Sequence, residues 1–283
     1  MQILQILFLT WNIGHPSAIP QLSTAFDKFK QNYSDLIFIC LQEIDKRSHI
    51  FNGHCEKAMN IYTSQIVNEF PNYSLFYKFN FQSVALFILA NKQTKYQNII
   101  QKLTKVIKHD ADGKGSIIST LLINNKTISV IGNHLQYDAR NFDERNIEWL
   151  NVIHNYLFKS DFIIMLGDLN YRIELNFDKI LKKISQRNYN RLLRADQLKK
   201  AQRIFPLLGL FKEPLINFPP TYKFEKNSTN YDASSIKRVP SYTDRILVAT
   251  FRNNNFPKVK EYNCISTQVS DHRPVYAFYD FFL

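Results

Sequence analysis

The chain concentrates its apolar residues in short, almost uninterrupted runs: Ile3–Leu9, Leu36–Leu41, Val84–Ala90, Ile117–Ile123, Ile128–Ile131, Phe162–Leu166, Ile246–Ala249 and Val275–Phe278. Each is rich in β-branched or aromatic residues. Runs of this length without polar alternation suit strands buried on both faces. Helical patterns lie between them, at Ala18–Asn32, Cys55–Glu69 and Asn141–Phe158, and more weakly at Phe177–Leu193 and Ala195–Leu208. In the third of these, Ile147, Leu150, Ile153, Tyr156 and Leu157 recur at helical spacing. Interleaved strands and helices of this kind predict a layered α/β sandwich. The length of 283 residues would allow two domains. With no internal repeat and no low-complexity linker, a single domain over 1–283 is expected, large enough to bury a core without disulfides.

Composition removes several classes. Only 7 glycines are present, with neither a Walker pattern nor GxGxxG, so a glycine-rich phosphate loop is excluded. Cys40, Cys55 and Cys264 are odd in number and lack CxxC spacing, which points to a reducing, cytoplasmic setting. Cys40, inside DLIFIC, reads as a small buried hydrophobe. No apolar run reaches the length of a membrane-spanning helix. The opening MQILQILFLTWN lacks the basic region and cleavage site of a signal peptide and reads as a buried first strand. The closing YDFFL carries no CaaX box. A net charge of +12 favours an anionic partner without choosing among nucleic acid, an anionic membrane and a polyphosphorylated small molecule.

The polar residues at the run ends carry the functional signal. Asn12, Glu43, His134 and the pair Asp168 and Asn170 follow strand C-termini, whereas Asp244 and the pair Asp271 and His272 precede the last two long runs. If those two strands run antiparallel to the others, all of these groups meet at one edge of the sandwich, where α/β proteins commonly place their sites. Asn12, Gln42, Glu43, Asp168, Asn170 and Asp271 are hard oxygen donors, a set that suits magnesium better than zinc. His272 is the natural acid or base. Asp271, its chain neighbour, points the other way in an extended chain, so Asp244 is the better partner to orient the ring. Asp168 could orient or deprotonate an attacking water, and which of Asp168 and His272 takes the proton stays open. His134 and Asn170 are candidate donors to phosphate oxygens. Arg172, Lys223, Lys237, Arg238 and Arg245, beside Tyr222 and Tyr242, form a basic constellation suited to a substrate with more than one phosphate.

These motifs, in this order, resemble the inositol polyphosphate 5-phosphatases of the endonuclease/exonuclease/phosphatase superfamily. The similarity covers TWN at 10–12, LQE at 41–43, NHL at 133–135, ERN at 144–146, GDLNYRI at 167–173, DQL at 196–198, PPTYKF at 219–224, KRVPSYTDRIL at 237–247 and SDHRPV at 270–275. The PTYK and KRxPSxxDRIL segments separate the 5-phosphatases from their nuclease relatives. The resemblance implies a four-layered α/β sandwich of two packed mixed sheets flanked by helices, with Mg2+ held by Glu43, Asn12 and Asp271. It implies Asp168 and Asn170 at the attacking water and the scissile phosphate, a paired His272 and Asp244, and His134 steadying the phosphate. Tyr222, Lys223, Lys237 and Arg238 would hold the neighbouring 4-phosphate, with Arg172 in support. Two departures bear on substrate preference: Tyr242 and Thr243 stand where the family commonly has Trp and Cys, and Gly113-Lys114-Gly115-Ser116 replaces the usual Lys-Gly-Gly turn, placing Lys114 near substrate.

The expected activity is therefore Mg-dependent removal of the 5-phosphate from phosphoinositide lipids or soluble inositol polyphosphates. A nuclease or sphingomyelinase-like phosphodiesterase on the same fold is the alternative enzyme, and a non-catalytic phosphoinositide-binding module the alternative without chemistry. No nucleic acid partner is expected. A bare catalytic domain acting as a monomer is expected, with peripheral membrane contact through apolar tips at Phe51 or Leu192–Leu193.

Overall fold

A computed structural model describes residues 2–15, 20–45, 52–96, 98–109, 113–138, 140–154, 159–234, 238–252 and 255–283. Its strands are β1 (Ile3–Asn12), β2 (Leu36–Gln42), β3 (Tyr73–Phe81), β4 (Val84–Asn91), β5 (Ile100–Lys108), β6 (Gly115–Ile123), β7 (Lys126–His134), β8 (Phe162–Asp168), β9 (Asp244–Thr250), β10 (Lys258–Cys264) and β11 (Val275–Phe282). They form a six-stranded sheet in the order β10-β11-β1-β2-β4-β3 and a five-stranded sheet in the order β5-β6-β7-β8-β9.

The apolar runs are continuous because both faces of each central strand are dry. Leu4, Ile6 and Phe8 of β1 meet Phe162, Ile164 and Leu166 of β8 in the core between the sheets. The alternate residues Leu7, Leu9 and Trp11 turn outward, onto a layer that holds α1 (Ser23–Phe26) and α2 (Asn52–Glu69). On the far side, Ile163 and Met165 of β8 pack against Trp149, Val152 and Ile153 of α3 (Phe142–His154). The period of two along a strand thus feeds two cores from one run. Four layers result: helix, sheet, sheet, helix. Truncating a fully buried member such as Phe8 to Ala would cost about 3–5 kcal/mol.

β9 is antiparallel to β8 and β11 is antiparallel to β1. The N-terminal ends of these late strands therefore lie beside the C-terminal ends of the early ones: Asp244 pairs with Asp168, and Val275 with Thr10.

The pattern Cys55–Glu69 falls within α2, whereas other helical patterns are shorter or divided. Phe177–Leu193 divides into α4 (Phe177–Ser185) and α5 (Tyr189–Leu193), because Arg187 has a positive φ of 50° and Asn188 starts a new helix by accepting from Arg191 N at 3.3 Å. Ala195–Leu208 divides into α6 (Gln197–Ile204), capped by the Asp196 side chain, and α7 (Pro206–Gly209), since Pro206 cannot continue the preceding helix. Within Ala18–Asn32 only α1 and a following 3-10 turn form, and residues 16–19 lie outside the described part; so do residues 155–158, past the end of α3.

Candidate active site

The sheet ends bring together most of the groups singled out in the sequence; Arg245 does not join them, and Lys237 lies outside the described residues. His272 is buried, and its Nδ1–H donates to Asp244 Oδ2 at 3.0 Å. The same carboxylate oxygen accepts from Thr221 Oγ1 at 2.7 Å and Thr243 Oγ1 at 2.9 Å. The His272 backbone is also fixed: its carbonyl accepts from Trp11 Nε1 at 3.3 Å, and its N–H donates to Ser270 Oγ at 3.1 Å. Burial alone would lower the His272 pKa, but the Asp244 carboxylate outweighs it and raises the imidazole to about 10. The pairing with Asp244 occupies Nδ1 and favours the imidazolium.

Asp168 ends β8 and is buried. Its Oδ2 accepts from Asn12 Nδ2 at 2.9 Å and lies 3.5 Å from His134 Nε2, while its Oδ1 accepts from Asn170 N at 3.0 Å. Burial pushes this carboxyl up, yet the hydrogen bond with His134 and the charge on His272 prevail and hold it well below the usual carboxylate range. The chain reaches this position through Gly167, whose φ of 143° and backbone approach to Asn133 leave no room for a Cβ. Asn170 sits at φ 56°, a conformation asparagine tolerates. One Nδ2–H donates to Leu135 O at 3.0 Å and its Oδ1 accepts from Arg172 at 2.6 Å, so among the described residues the second amide hydrogen is left for a ligand.

Glu43 follows β2 with a φ of 56°. Its carboxylate, partly open, has His15 Nε2 at 3.5 Å and His134 Nε2 at 3.6 Å as its ion-pair neighbours among the described residues. Burial would raise its pKa, but His134, His15 and Lys114 lower it. Lys114 is buried with Nζ against His134 Nε2, and desolvation lowers its pKa.

Two carboxylate arrangements could hold a cation. Asp168, Asp244 and His272 offer atoms within 4.8 Å of one another. Asp244, however, already accepts from three donors and occupies His272 Nδ1. Among the described residues Glu43 accepts from no such set of donors, and Asn12 and Asp271 meet at Gly14: Gly14 N donates to Asn12 Oδ1 at 2.9 Å, and Gly14 lies so close to Asp271 Oδ1 that a Cβ there would stand 2.8 Å away. All three are oxygen donors, which fits a hard divalent cation.

The basic constellation divides. The Arg172 guanidinium lies 4.4 Å over the Tyr222 ring, Arg238 donates to the Tyr222 hydroxyl at 3.0 Å, and the Tyr222 ring centre is 4.5 Å from that of His272. Lys223 pairs with Asp232 at 3.1 Å, beside the same strand of chain. Arg245 does not belong with them. It is 0% exposed, donates to Glu213 at 2.6 Å through Nε and again through NH2, and reaches Asp196 at 3.0 Å through NH1. A cation locked between two buried carboxylates is structural, which corrects its placement as a phosphate contact.

The sequence left the supports of Arg172 without a role. Gln197 Oε1 accepts from Arg172 N at 3.0 Å and from Arg145 NH2 at 2.7 Å, and Asn146 accepts from Tyr171 OH at 2.7 Å. The ERN and DQL segments therefore brace GDLNYR from behind. The apolar tips fare differently. Leu192 is 0% exposed, inside the core, so it is no membrane tip, and Phe51 lies outside the described residues. No helix among the described residues is long and apolar enough to cross a membrane.

A sandwich of two mixed sheets with an Asp–His pair, a buried Asp–Asn turn and an acidic cleft at one end defines the endonuclease/exonuclease/phosphatase class. The family model for endonuclease/exonuclease/phosphatase family 2 matches residues 9–278, and the chain belongs to that family. Among curated proteins it is 33% identical over 174 residues to inositol-1,4,5-trisphosphate 5-phosphatase 1 of Schizosaccharomyces pombe, covering 59% of this chain but only 16% of that protein. It is 28% identical over 287 residues to type IV inositol polyphosphate 5-phosphatase 11 of Arabidopsis thaliana, covering 96% of this chain and 81% of the relative. Among solved structures, the synaptojanin inositol polyphosphate 5-phosphatase domain with inositol (1,4)-bisphosphate and calcium superposes with a TM-score of 0.85 at 24% identity, over 99% of this chain and 84% of the other. That likeness establishes the shared fold.

Proposed function

We propose that the chain is a magnesium-dependent phosphatase that removes the 5-phosphate from phosphoinositide lipids or soluble inositol polyphosphates. The observation that carries this reading is the position of Tyr222. Its ring rests on the His272 side of the hydrolytic set and gathers Arg172 and Arg238 around it. A site for one phosphate needs the first set only, and the cations around Tyr222 suit a second phosphate next to the one cleaved. The names of the relatives support the same substrate class.

Hydrolysis of a phosphate monoester passes through a loose transition state, so aiming and charge neutralisation matter more than a strong base. Asp168, kept ionised by its neighbours, accepts a hydrogen of the attacking water and directs its lone pair at phosphorus. As the new P–O bond forms and the bond to the inositol oxygen breaks, the water proton moves toward Asp168, and the departing inositol oxygen takes up a proton from solvent. The imidazolium of His272 donates from Nε2 to a non-bridging oxygen while Asp244 holds the ring still. The free amide hydrogen of Asn170 and the Lys114–His134 pair face the same group. A magnesium ion held by Glu43, Asn12 and Asp271 would neutralise phosphate charge and stabilise the leaving oxygen.

Phosphate release from inositol 1,4,5-trisphosphate by wild type and Asp168→Asn tests the reading. Wild type should turn over with magnesium, and the variant should lose on the order of a thousandfold in kcat, the scale of a lost transition-state contact in a dry site. Equal rates for the two proteins would remove Asp168 from the mechanism.

A further inference from the structure

Away from the cleft, residues 177–213 carry ten Lys or Arg against three Asp or Glu, a large share of the whole chain's +12. Two of the three acids, Asp196 and Glu213, are consumed by buried Arg245. The exposed charge of this segment is therefore almost entirely positive. The cations do not scatter evenly. Arg194, Lys199, Arg203 and Lys212 line one groove of about 490 Å³ between α5, α6 and the chain after α7. Lys199 pairs with Glu213 at 3.0 Å, but among the described residues neither Arg194 nor Arg203 pairs with a carboxylate, and Lys212 reaches only the Gly209 carbonyl, at 3.0 Å.

Exposed apolar side chains accompany these cations along the chain. Ile204 follows Arg203 and is 53% exposed, Leu210 follows Gly209 and is 41% exposed, and Leu215 is 65% exposed two residues past Glu213. Cations alone describe a solvated face. Cations interleaved with outward-pointing Ile and Leu describe a surface that is complementary to an anionic bilayer, with headgroups for the charges and the acyl boundary for the apolar tips. We propose that the α5–α7 face is a docking surface for an anionic lipid membrane, separate from the substrate-holding residues. It sits one short helix from the site. Gln197, at the start of α6, braces Arg172, and Arg203 lies about 9 Å further along the helix at 1.5 Å per residue. Docking here would use no catalytic group.

The test is flotation of the full chain with phosphatidylcholine vesicles, with and without phosphatidylserine, at low and high salt. The variants are Arg194→Gln/Arg203→Gln/Lys212→Gln, Ile204→Ser/Leu215→Ser and Lys223→Ala. Wild type should float with phosphatidylserine vesicles only, and salt should release it. The triple variant should partition on the order of 100-fold more weakly, from about fivefold per cation near an anionic leaflet. Arg194→Gln alone should show that fivefold step if the triple variant folds poorly. The apolar variant should also weaken binding, and Lys223→Ala should float as wild type does. Turnover of soluble inositol 1,4,5-trisphosphate should stay unchanged in the triple variant. Failure of the 5-phosphatase reading would show as no turnover by wild type, with flotation intact. Flotation independent of phosphatidylserine, or lost in Lys223→Ala but kept in the triple variant, would overturn the docking surface.

Discussion

Replacing Arg245 with Met separates a structural arginine from a substrate-binding one. The guanidinium is fully buried and makes four charge-assisted contacts to Glu213 and Asp196, at 2.6, 2.6, 3.0 and 3.2 Å. Methionine fills much of the volume but leaves two buried carboxylates facing one another. Lys199 Nζ, at 3.0 Å, and the Tyr262 hydroxyl, at 2.9 Å, still reach Glu213, whereas the Asp196 side chain keeps only the Lys199 backbone N–H, at 3.3 Å, among the described residues. Removing one partner from a buried pair costs about 3–5 kcal/mol. In a chain of this size each kcal/mol lowers Tm by about 2–4 °C, so the melting point should fall by roughly 6–20 °C. Replacing the acids too, as Asp196→Asn/Glu213→Gln/Arg245→Met, should recover part of the loss, because no unpaired charge then remains buried. Thermal unfolding followed by circular dichroism measures both. Phosphate release well below the melting point should show a KM within twofold of wild type. An unchanged Tm with a sharply raised KM would refute the structural assignment and return Arg245 to the substrate.

Further outcomes follow from the same geometry. Burial raises the Glu213 pKa but Arg245 outweighs it, leaving the group at about 2 against an ordinary 4.5. The stability it contributes is complete above pH 4.5 and is lost as pH falls toward 2, so Tm should decline across that window, and less steeply in Arg245→Met. Thr243→Val removes one donor from Asp244 while Thr221 remains, and kcat should fall about tenfold, the scale of a hydrogen bond to a charged group; Thr243→Ser should restore it, and an unaltered kcat in the Val variant would show that Thr221 suffices. Arg238→Ala frees the Tyr222 hydroxyl and should raise KM for a 4,5-bisphosphorylated substrate by about tenfold, with little effect on one bearing the 5-phosphate alone.

What the sequence reveals follows the pattern of burial. The eight strands read from it are those with dry side chains on both faces, as in β8, where Ile163 and Ile164 enter different cores. The unread strands, β3, β5 and β10, are edge strands of the two sheets. Their residues meet water along much of their length, as Lys102, Lys105 and Lys108 do in β5, so no apolar run announces them. The polar residues at the strand ends were visible because a carboxylate or amide after an apolar run is out of pattern. The partners His272 and Asp244 lie 28 residues apart, and only the antiparallel course of β9 and β11 brings them to hydrogen-bond distance. Arg245 was misplaced because charge, unlike hydropathy, does not reveal burial; its acids, Asp196 and Glu213, are distant in the chain. Gln197 was passed over for the same reason, since a lone amide gives no sign that it joins two arginines.

The most direct measurement is phosphate release, with magnesium and with EDTA, across a panel of inositol 1,4,5-trisphosphate, the 4,5-bisphosphate and 3,4,5-trisphosphate lipids, inositol 1,4-bisphosphate and an abasic DNA duplex. The account predicts metal-dependent turnover of the compounds that carry a 5-phosphate and none of the 1,4-bisphosphate or the DNA. Cleavage of the DNA alone, or release that EDTA leaves intact, would contradict it.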